Sequence, residues 1–164
     1  MNIQVYSASK SVQSVSDAPA SVTVVTADEI QKYGYRTLAD ILRDVRGFYV
    51  TYDRDYSYVG VRGFGRLGDW NSHILLLVDG HRINDNVLGQ AMIGTEFPVD
   101  VDLIERVEIV RGPSSSLYGA EAFLAVINVI TRKAPGLKGL EFPFHLPALA
   151  LTRAEPLTEV SIAG

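Results

Sequence analysis

Two stretches of this sequence contain residues that could bind phosphate or attack a substrate. Residues 111–119 read RGPSSSLYG, and residues 63–68 read GFGRLG, which matches the GxGxxG pattern. A P-loop needs a lysine, and a dinucleotide site needs a helix N-terminus directly after its glycines. The first stretch has no lysine, and the second leads into a polar turn and the strand-like ILLLV. Neither stretch is therefore assigned to nucleotide binding, and no catalytic residue is assigned to the serines.

The residue types in these stretches fit turns better than they fit a phosphate-binding or catalytic site. Gly112 is placed to end a strand, Pro113 suits the first position of a helix, and Gly119 can close a single helical turn. Asp79 and Gly80 are typical of a tight turn between two strands. The predicted structural turns are Gly63, Asp79, Gly80, Gly112, Pro113 and Gly119.

Composition excludes several classes of site. The chain has no cysteine, and its three histidines show no metal-ligand spacing, so we expect neither a metal site nor a cofactor. A net charge of -4, with 15 scattered Lys and Arg residues, argues against a nucleic-acid partner. No segment has the roughly 18 apolar residues of a membrane helix, and the first residues do not resemble a signal peptide.

Two arginines stand at the ends of apolar strands. Arg111 shares a face with Val107 and Ile109 by strand alternation, and Arg62 ends the run YVGVRG in the same Arg-Gly arrangement. Such arginines are either solvated strand ends or interface charges that pair with carboxylates, since an unpaired buried charge costs several kcal/mol. The residues themselves leave both interpretations open.

The elements that position these residues begin with two short helices. Thr26 and Glu29 form the sequence signature of a capping box, and Gly34 is placed to end the first helix. Thr37 can cap the second helix, whose apolar residues recur at helical spacing and which Gly47 is placed to end.

Strand-like segments surround these helices. They are Val22 to Val25, then FYVTYD, YVGVRG, HILLLVDG and HRI from residue 48 onward, and finally Arg106 to Val110 and Ala125 to Thr131. With 47% apolar residues the chain can build one core. The prediction is an α+β domain, a small mixed β-sheet with short helices, at residues 18–133. Irregular tails flank it, an extended arm at 1–17 and a proline-broken segment at 134–164.

Five segments in this order resemble the plug domain of TonB-dependent outer-membrane receptors. They are SVTVVTADEIQKYG, TLADILRDVRGFYV, VGVRGFG, ILLLVDGHRIND and LIERVEIVRGPSSSLYGAEAFLAVINVITRK. The resemblance implies a domain that sits inside a receptor barrel, blocks its lumen and moves when TonB pulls. It also implies a contribution to uptake of a scarce nutrient, such as a ferric siderophore, haem or cobalamin, and a protein that is not an enzyme.

The resemblance also suggests roles for particular residues. The arm occupies the place of the TonB box, with Ile3, Gln4, Val5, Tyr6 and Ser7 as candidates, and would add to TonB's sheet as a strand. Arg62 and Arg111 fall on the two arginines that pair with barrel glutamates and lock the plug. The loops at 53–56, 65–70 and 84–89 correspond to those that face incoming ligand. Their candidate residues are Arg54, Tyr56, Arg66, Asp69, Trp70 and Asn86.

The sequence differs from the family outside the plug domain. A barrel of about 22 strands, with roughly 10 residues each, needs more residues than this chain has, so we expect a truncated receptor. LTEVSIAG at the end of the chain is a candidate start of a barrel strand. The expected location is the outer membrane of a Gram-negative bacterium, with TonB, a barrel and a metal-chelate or similar small molecule as partners. The alternative is a free-standing periplasmic or secreted binding module with the plug fold.

Overall fold

The structure is a computed structural model that describes residues 4–5, 13–14, 21–65 and 67–133. The described residues form one compact unit, and the predicted tail at 134–164 lies outside them. The strands are β1 Gln4–Val5, β2 Gln13–Ser14, β3 Ser21–Thr26, β4 Phe48–Tyr52, β5 Ser57–Val61, β6 Ile74–Val78, β7 His81–Arg82, β8 Ile104–Arg111 and β9 Ala125–Thr131. The α-helices are α1 Ala27–Tyr33, α2 Leu38–Arg43 and α3 Ser115–Tyr118, and 3₁₀ turns lie at Val101–Leu103 and Ala120–Phe123.

The main sheet is mixed, which confirms the predicted fold class. Its five strands lie in the order β3-β8-β9-β6-β7, and β6 runs parallel to β9 while the other neighbours are antiparallel. Strands β4 and β5 form a separate antiparallel hairpin, and β1 pairs with β2. The sequence predicts the strands from β3 onward, but it predicts only an extended arm at β1 and β2 and does not reveal that β4 and β5 leave the main sheet.

Both helices of the N-terminal half begin at the predicted caps. Thr26 and Glu29 bond reciprocally at α1, Thr37 does the same with Asp40 at α2, and Gly34 ends α1 with φ 68°. The prediction that Gly47 ends α2 is wrong. The helix stops at Arg43, and two tight turns then lead into β4, with Val45 N–H donating to Leu42 O and Phe48 N–H donating to Val45 O.

The helices cover one face of the main sheet. Leu38, Ile41 and Leu42 of α2 belong to the same buried cluster as Ile109 of β8 and Ile127 of β9. On the opposite face a smaller cluster contains Leu75, Leu77, Val110, Ala122 and Val126. Strands β8 and β9 contribute to both clusters because successive side chains point to opposite faces. None of the helices in the described ranges has the length and hydropathy needed to span a membrane.

The turn residues lie at the ends of these strands. Asp79 and Gly80 connect β6 to β7 with φ 49° and 81°, which fits a tight hairpin turn. The Asp79 carboxylate accepts hydrogen bonds from Thr131 N–H at 2.9 Å and from its hydroxyl at 2.7 Å. At the other corner Gly112 has φ 123°, and α3 begins only after Ser114, so Pro113 precedes the helix and does not occupy its first position.

Candidate functional site

An aromatic contact brings together two of the predicted ligand-facing loops. The rings of Tyr56 and Trp70 meet edge to face with centroids 5.1 Å apart, and Tyr58 lies 6.2 Å from the same indole. Trp70 also bonds to the segment just after the third loop, because its carbonyl accepts a hydrogen bond from Ala91 N–H at 3.2 Å. The three loops therefore share one framework.

Asp53 shapes the first of these loops. Its carboxylate accepts hydrogen bonds from Tyr56 N–H at 2.7 Å, Asp55 N–H at 3.0 Å and the Tyr58 hydroxyl at 2.9 Å. The backbone bond from Tyr56, followed by that from Asp55, holds the pKa of Asp53 below its usual value. Burial, followed by the bond to Asp53, raises the pKa of Tyr58. The result is a fixed loop that presents exposed Arg54, whose φ is 88°.

Two buried asparagines that sequence reasoning did not select organise the same region. The Asn71 side chain accepts from Val59 N–H at 2.8 Å and donates to the carbonyls of Ser57 at 3.0 Å and Ala91 at 2.9 Å. Its φ of 56° is a conformation that asparagine tolerates better than most residues. The only available signal was its place in the polar stretch DWNSH after the glycines.

The Asn84 side chain makes an equivalent set of three hydrogen bonds at β6 and the loop that follows β7. It accepts from Leu76 N–H at 2.7 Å and donates to the carbonyls of Ile74 at 2.9 Å and Gly89 at 2.8 Å. The sequence predicted Asn86 in this loop as a ligand-facing residue, and that side chain is exposed. Asn84 thus fixes the loop, and Asn86 stands at its exposed tip.

The remaining predicted loop residues divide between described and undescribed parts of the chain. Asp69 is half-buried, and its carboxylate accepts a hydrogen bond from Asn71 N–H at 3.0 Å. Arg66 lies outside the described residues. Of the TonB-box candidates, Gln4 and Val5 form β1, while Ile3, Tyr6 and Ser7 also lie outside the described residues.

The two predicted lock arginines differ in their surroundings. Arg111 is half-buried, and its guanidinium donates to the carbonyl of Arg46 and, at 3.0 Å, to the hydroxyl of Thr23. Its Nε atom is buried without a hydrogen-bond partner in the described part of the chain. Arg62 is exposed, and its backbone N–H donates to Gly47 O at 2.8 Å. Within the described residues neither arginine forms an ion pair.

Ser114 of the corner is held by the chain's own backbone. Ser114 is buried, and its N–H donates to Ala122 O at 2.9 Å, so this serine is part of the turn itself. In the ranges that the structure describes, no group of three or more His, Cys, Asp or Glu side chains could hold a metal ion.

Comparison with known proteins identifies the family. The profile described as "TonB-dependent Receptor Plug Domain" matches residues 14–126. The chain belongs to this plug family. The "Iron-regulated outer membrane virulence protein" of Vibrio cholerae is 36% identical over 126 residues, which cover 74% of this chain and 18% of that protein. The "Vitamin B12 transporter BtuB" of Vibrio vulnificus is 37% identical over 139 residues, 82% of this chain and 21% of the transporter.

Solved receptor structures contain the same plug architecture. The ferripyoverdine receptor of the outer membrane of Pseudomonas aeruginosa, bound to ferripyoverdine, matches with a TM-score of 0.64 and 26% identity. That match covers 80% of this chain and 16% of the receptor. The ferric yersiniabactin uptake receptor FyuA from Yersinia pestis matches with a TM-score of 0.58 and 27% identity, over 74% of this chain and 18% of FyuA.

The relatives are outer-membrane receptors and transporters of Gram-negative bacteria. The expected outer-membrane location is confirmed at the level of this family, and none of these four proteins is named as an enzyme. The chain spans about a fifth of the length of the curated relatives that it matches, 18% and 21%.

Proposed function

We propose that this plug domain closes the lumen of an outer-membrane barrel and gates the uptake of a scarce nutrient. The proposal rests on the surroundings of Arg62 and Arg111. Each arginine follows or ends an apolar strand, and neither has a carboxylate partner among the described residues. Since a guanidinium at an apolar surface is stabilised by an opposite charge, a barrel wall with carboxylates fits both positions.

The proposed nutrient is a ferric siderophore, and haem and cobalamin are the alternative nutrients. Named relatives include an iron-regulated outer-membrane protein and a vitamin B12 transporter, and one solved neighbour is bound to ferripyoverdine. The linked loops of this chain offer aromatic faces at Tyr56 and Trp70 beside the exposed Arg54. Aromatic side chains and a cation suit an anionic metal chelate that also has apolar surface.

TonB is the proposed source of the driving force. The candidate segment begins at Ile3 and includes the extended pair Gln4 and Val5. A short extended segment can add to the edge of a partner's sheet through its backbone. Strand β1 is paired with β2 through Gln4–Ser14 and Val5–Gln13, which occupies one of the two edges of this extended segment.

The function can be tested with a barrel that lacks its own plug. We expect the 164-residue chain to lower the ion conductance of the plug-deleted Vibrio cholerae relative in a planar bilayer. Replacing both Arg62 and Arg111 by glutamine should restore conductance, whereas an Arg36→Gln variant, altered at an exposed arginine elsewhere, should still block. Unchanged conductance with the wild-type chain would contradict the proposal.

Ligand contact can be measured on the chain alone because Trp70 is its only tryptophan. We expect a ferric siderophore to quench Trp70 fluorescence weakly, since the proposed barrel would supply most of the contacts. A tight, stoichiometric complex without any barrel would instead support the free-standing binding module.

A further inference from the structure

The loop at 84–89 has a fixed shape and an apolar tip. The Asp85 carboxylate accepts hydrogen bonds from Val87 N–H at 3.1 Å and from Leu88 N–H at 2.7 Å. The Asp85 carbonyl accepts a further bond from Gly89 N–H at 3.0 Å, so the loop closes on itself as a tight turn. At its tip Val87 is 86% exposed and Leu88 is 57% exposed. Two apolar side chains therefore project from a preformed turn.

Glu121 lies beside both ends of this loop. Arg82 precedes the loop by two residues, and its Nη2 atom donates to Glu121 Oε1 at 2.6 Å. Gly89 ends the loop with φ 66°, and a Cβ atom at this glycine would lie 3.2 Å from the same Oε1 atom. One carboxylate oxygen thus stands between the strand residue that leads into the loop and the glycine that ends it.

The 3₁₀ turn that carries Glu121 is itself anchored to the main sheet. Ala122 is fully buried and belongs to the smaller apolar cluster of that sheet. Leu124 N–H donates to His73 O at 2.9 Å, directly before β6. Glu121 therefore ties the loop to this 3₁₀ turn, whereas Asn84 ties the same loop to β6.

The ion pair acts on the loop more than on the whole fold. The Arg82 side chain is 45% exposed and that of Glu121 is 21% exposed. An ion pair with this much solvent contact adds little to the free energy of unfolding. Loops also open locally, without unfolding of the core, and a contact at the two ends of a loop opposes that opening.

We propose that Glu121 is a positioning residue for ligand contact. It holds the third loop through Arg82 and Gly89, so that Val87 and Leu88 meet an apolar part of the siderophore. A contact that is already in place before binding loses less conformational entropy when the ligand arrives. The inference rests on the proposed function and deepens it, because the position of a ligand-facing loop depends on a residue outside all three loops.

The first test measures amide hydrogen exchange by NMR in the full 164-residue chain. Arg82→Glu and Glu121→Arg each place like charges opposite each other. Each should speed exchange at residues 87–89 about three- to tenfold, while the amides of β8 and β9 change less than about twofold. The double variant restores opposite charges and should return the loop amides to within about twofold of the wild-type rates.

Arg43→Glu is the matched control, because it reverses the cation of another ion pair, Arg43–Asp40 in α2. It should change exchange at residues 87–89 by less than about 1.5-fold. Urea unfolding of each variant shows whether the fold is intact. Unchanged loop exchange in both single variants overturns the inference, and so does faster exchange that persists in the double variant.

The second test uses ferripyoverdine, the siderophore bound in a solved neighbour, as the probe. Its ferric ion is paramagnetic and broadens the NMR signals of nearby groups. In the wild-type chain we expect broadening of the methyl signals of Val87 and Leu88 and of the indole signal of Trp70. Glu121→Arg should reduce the methyl broadening at least about twofold and leave that of Trp70 unchanged, a pattern that a purely structural role would not produce.

The outcomes separate this inference from the proposed function. Methyl broadening that is equal in the wild-type chain and in Glu121→Arg overturns the inference and leaves the siderophore assignment standing. Broadening of Trp70 alone in the wild-type chain overturns the contact at the loop tip. If no signal broadens, the siderophore assignment fails, and the exchange measurements still decide whether Glu121 positions the loop.

Discussion

Single polar side chains hold the loop framework together. Asn71 and Asn84 each accept one backbone N–H and donate to two backbone carbonyls, so each satisfies three groups of the chain. Buried backbone groups without a partner are costly, and an amide has the donor and acceptor capacity to satisfy them together. These asparagines therefore stabilise the positions of loops that the proposed function assigns to the ligand.

Replacing Asn71 by alanine is expected to lower the free energy of unfolding by about 2–4 kcal/mol, because three buried backbone groups lose their partners. Urea unfolding followed by Trp70 fluorescence measures the change. Asn86→Ala removes an exposed amide from the neighbouring loop and should cost less than about 0.5 kcal/mol. Equal costs for the two variants would show that the Asn71 network does not stabilise the fold.

A second residue-scale prediction concerns Tyr35, whose hydroxyl donates to the Asp44 carboxylate at 2.6 Å. Burial, followed by this hydrogen bond, raises the pKa of Tyr35 to about 12. The phenol has a higher pKa in the folded than in the unfolded chain, so its contribution to stability is complete below about pH 10. That contribution is lost as the pH rises from there through about 12.

Absorbance at 295 nm should show a tyrosine that ionises near pH 12 in the folded chain. The Tyr35→Phe variant is expected to lack this late step and to lose less unfolding free energy between pH 10 and 12. Tyr33→Phe, which removes a more exposed phenol nearby, serves as the control and should retain the step. A late step that survives in Tyr35→Phe would assign it to another tyrosine.

At the scale of elements, the β4–β5 hairpin depends on a glycine opposite an aromatic ring. Tyr49 pairs with Gly60 across the two strands, and its ring occupies the space where a side chain at Gly60 would stand. A Cβ atom there would lie only 2.0 Å from the ring carbon Cζ. The Tyr49 hydroxyl continues to Gly65 O at 2.6 Å, so the ring also fixes the loop that follows β5.

Gly60→Ala is therefore expected to displace the Tyr49 ring and to destabilise the chain by about 1–3 kcal/mol, the usual cost of overpacking. In a Tyr49→Ala background the same glycine substitution should cost much less, because the new methyl group then meets no ring. A double-mutant cycle by urea unfolding measures this coupling. Additive costs would show that the close approach is relieved elsewhere.

At the scale of the whole molecule, the main sheet and the β4–β5 hairpin are connected where α2 leads into β4. Arg111 at the end of β8 donates to Arg46 O, and Arg62 after β5 donates its N–H to Gly47 O. One short segment thus contacts the last residue of a main-sheet strand and the residue that follows the hairpin. The sequence led us to expect the partner of Arg111 in a barrel, whereas its guanidinium already bonds inside the chain.

This connection predicts different costs for the two arginines in the chain alone. Arg111→Ala should lower the free energy of unfolding by about 1–3 kcal/mol, since hydrogen bonds from a charged group to Arg46 O and Thr23 are lost. Arg62→Ala should cost less than about 0.5 kcal/mol, because it removes an exposed side chain. Thermal or urea unfolding compares them. Equal small costs would mean that Arg111 acts only through a partner outside the chain.

The sequence and the tertiary structure determine different features of this protein. The sequence alone was sufficient for the helix caps at Thr26 and Thr37, the strand alternation and the family resemblance, because capping and alternation depend on residues a few positions apart. It misplaced the end of α2 and did not separate β4 and β5 from the main sheet. The roles of Asn71 and Asn84 and the meeting of Arg46, Arg62 and Arg111 emerged only in the tertiary structure. The contacts of Asn71 and of the arginines join residues distant in sequence, and a local pattern does not show which strand ends meet.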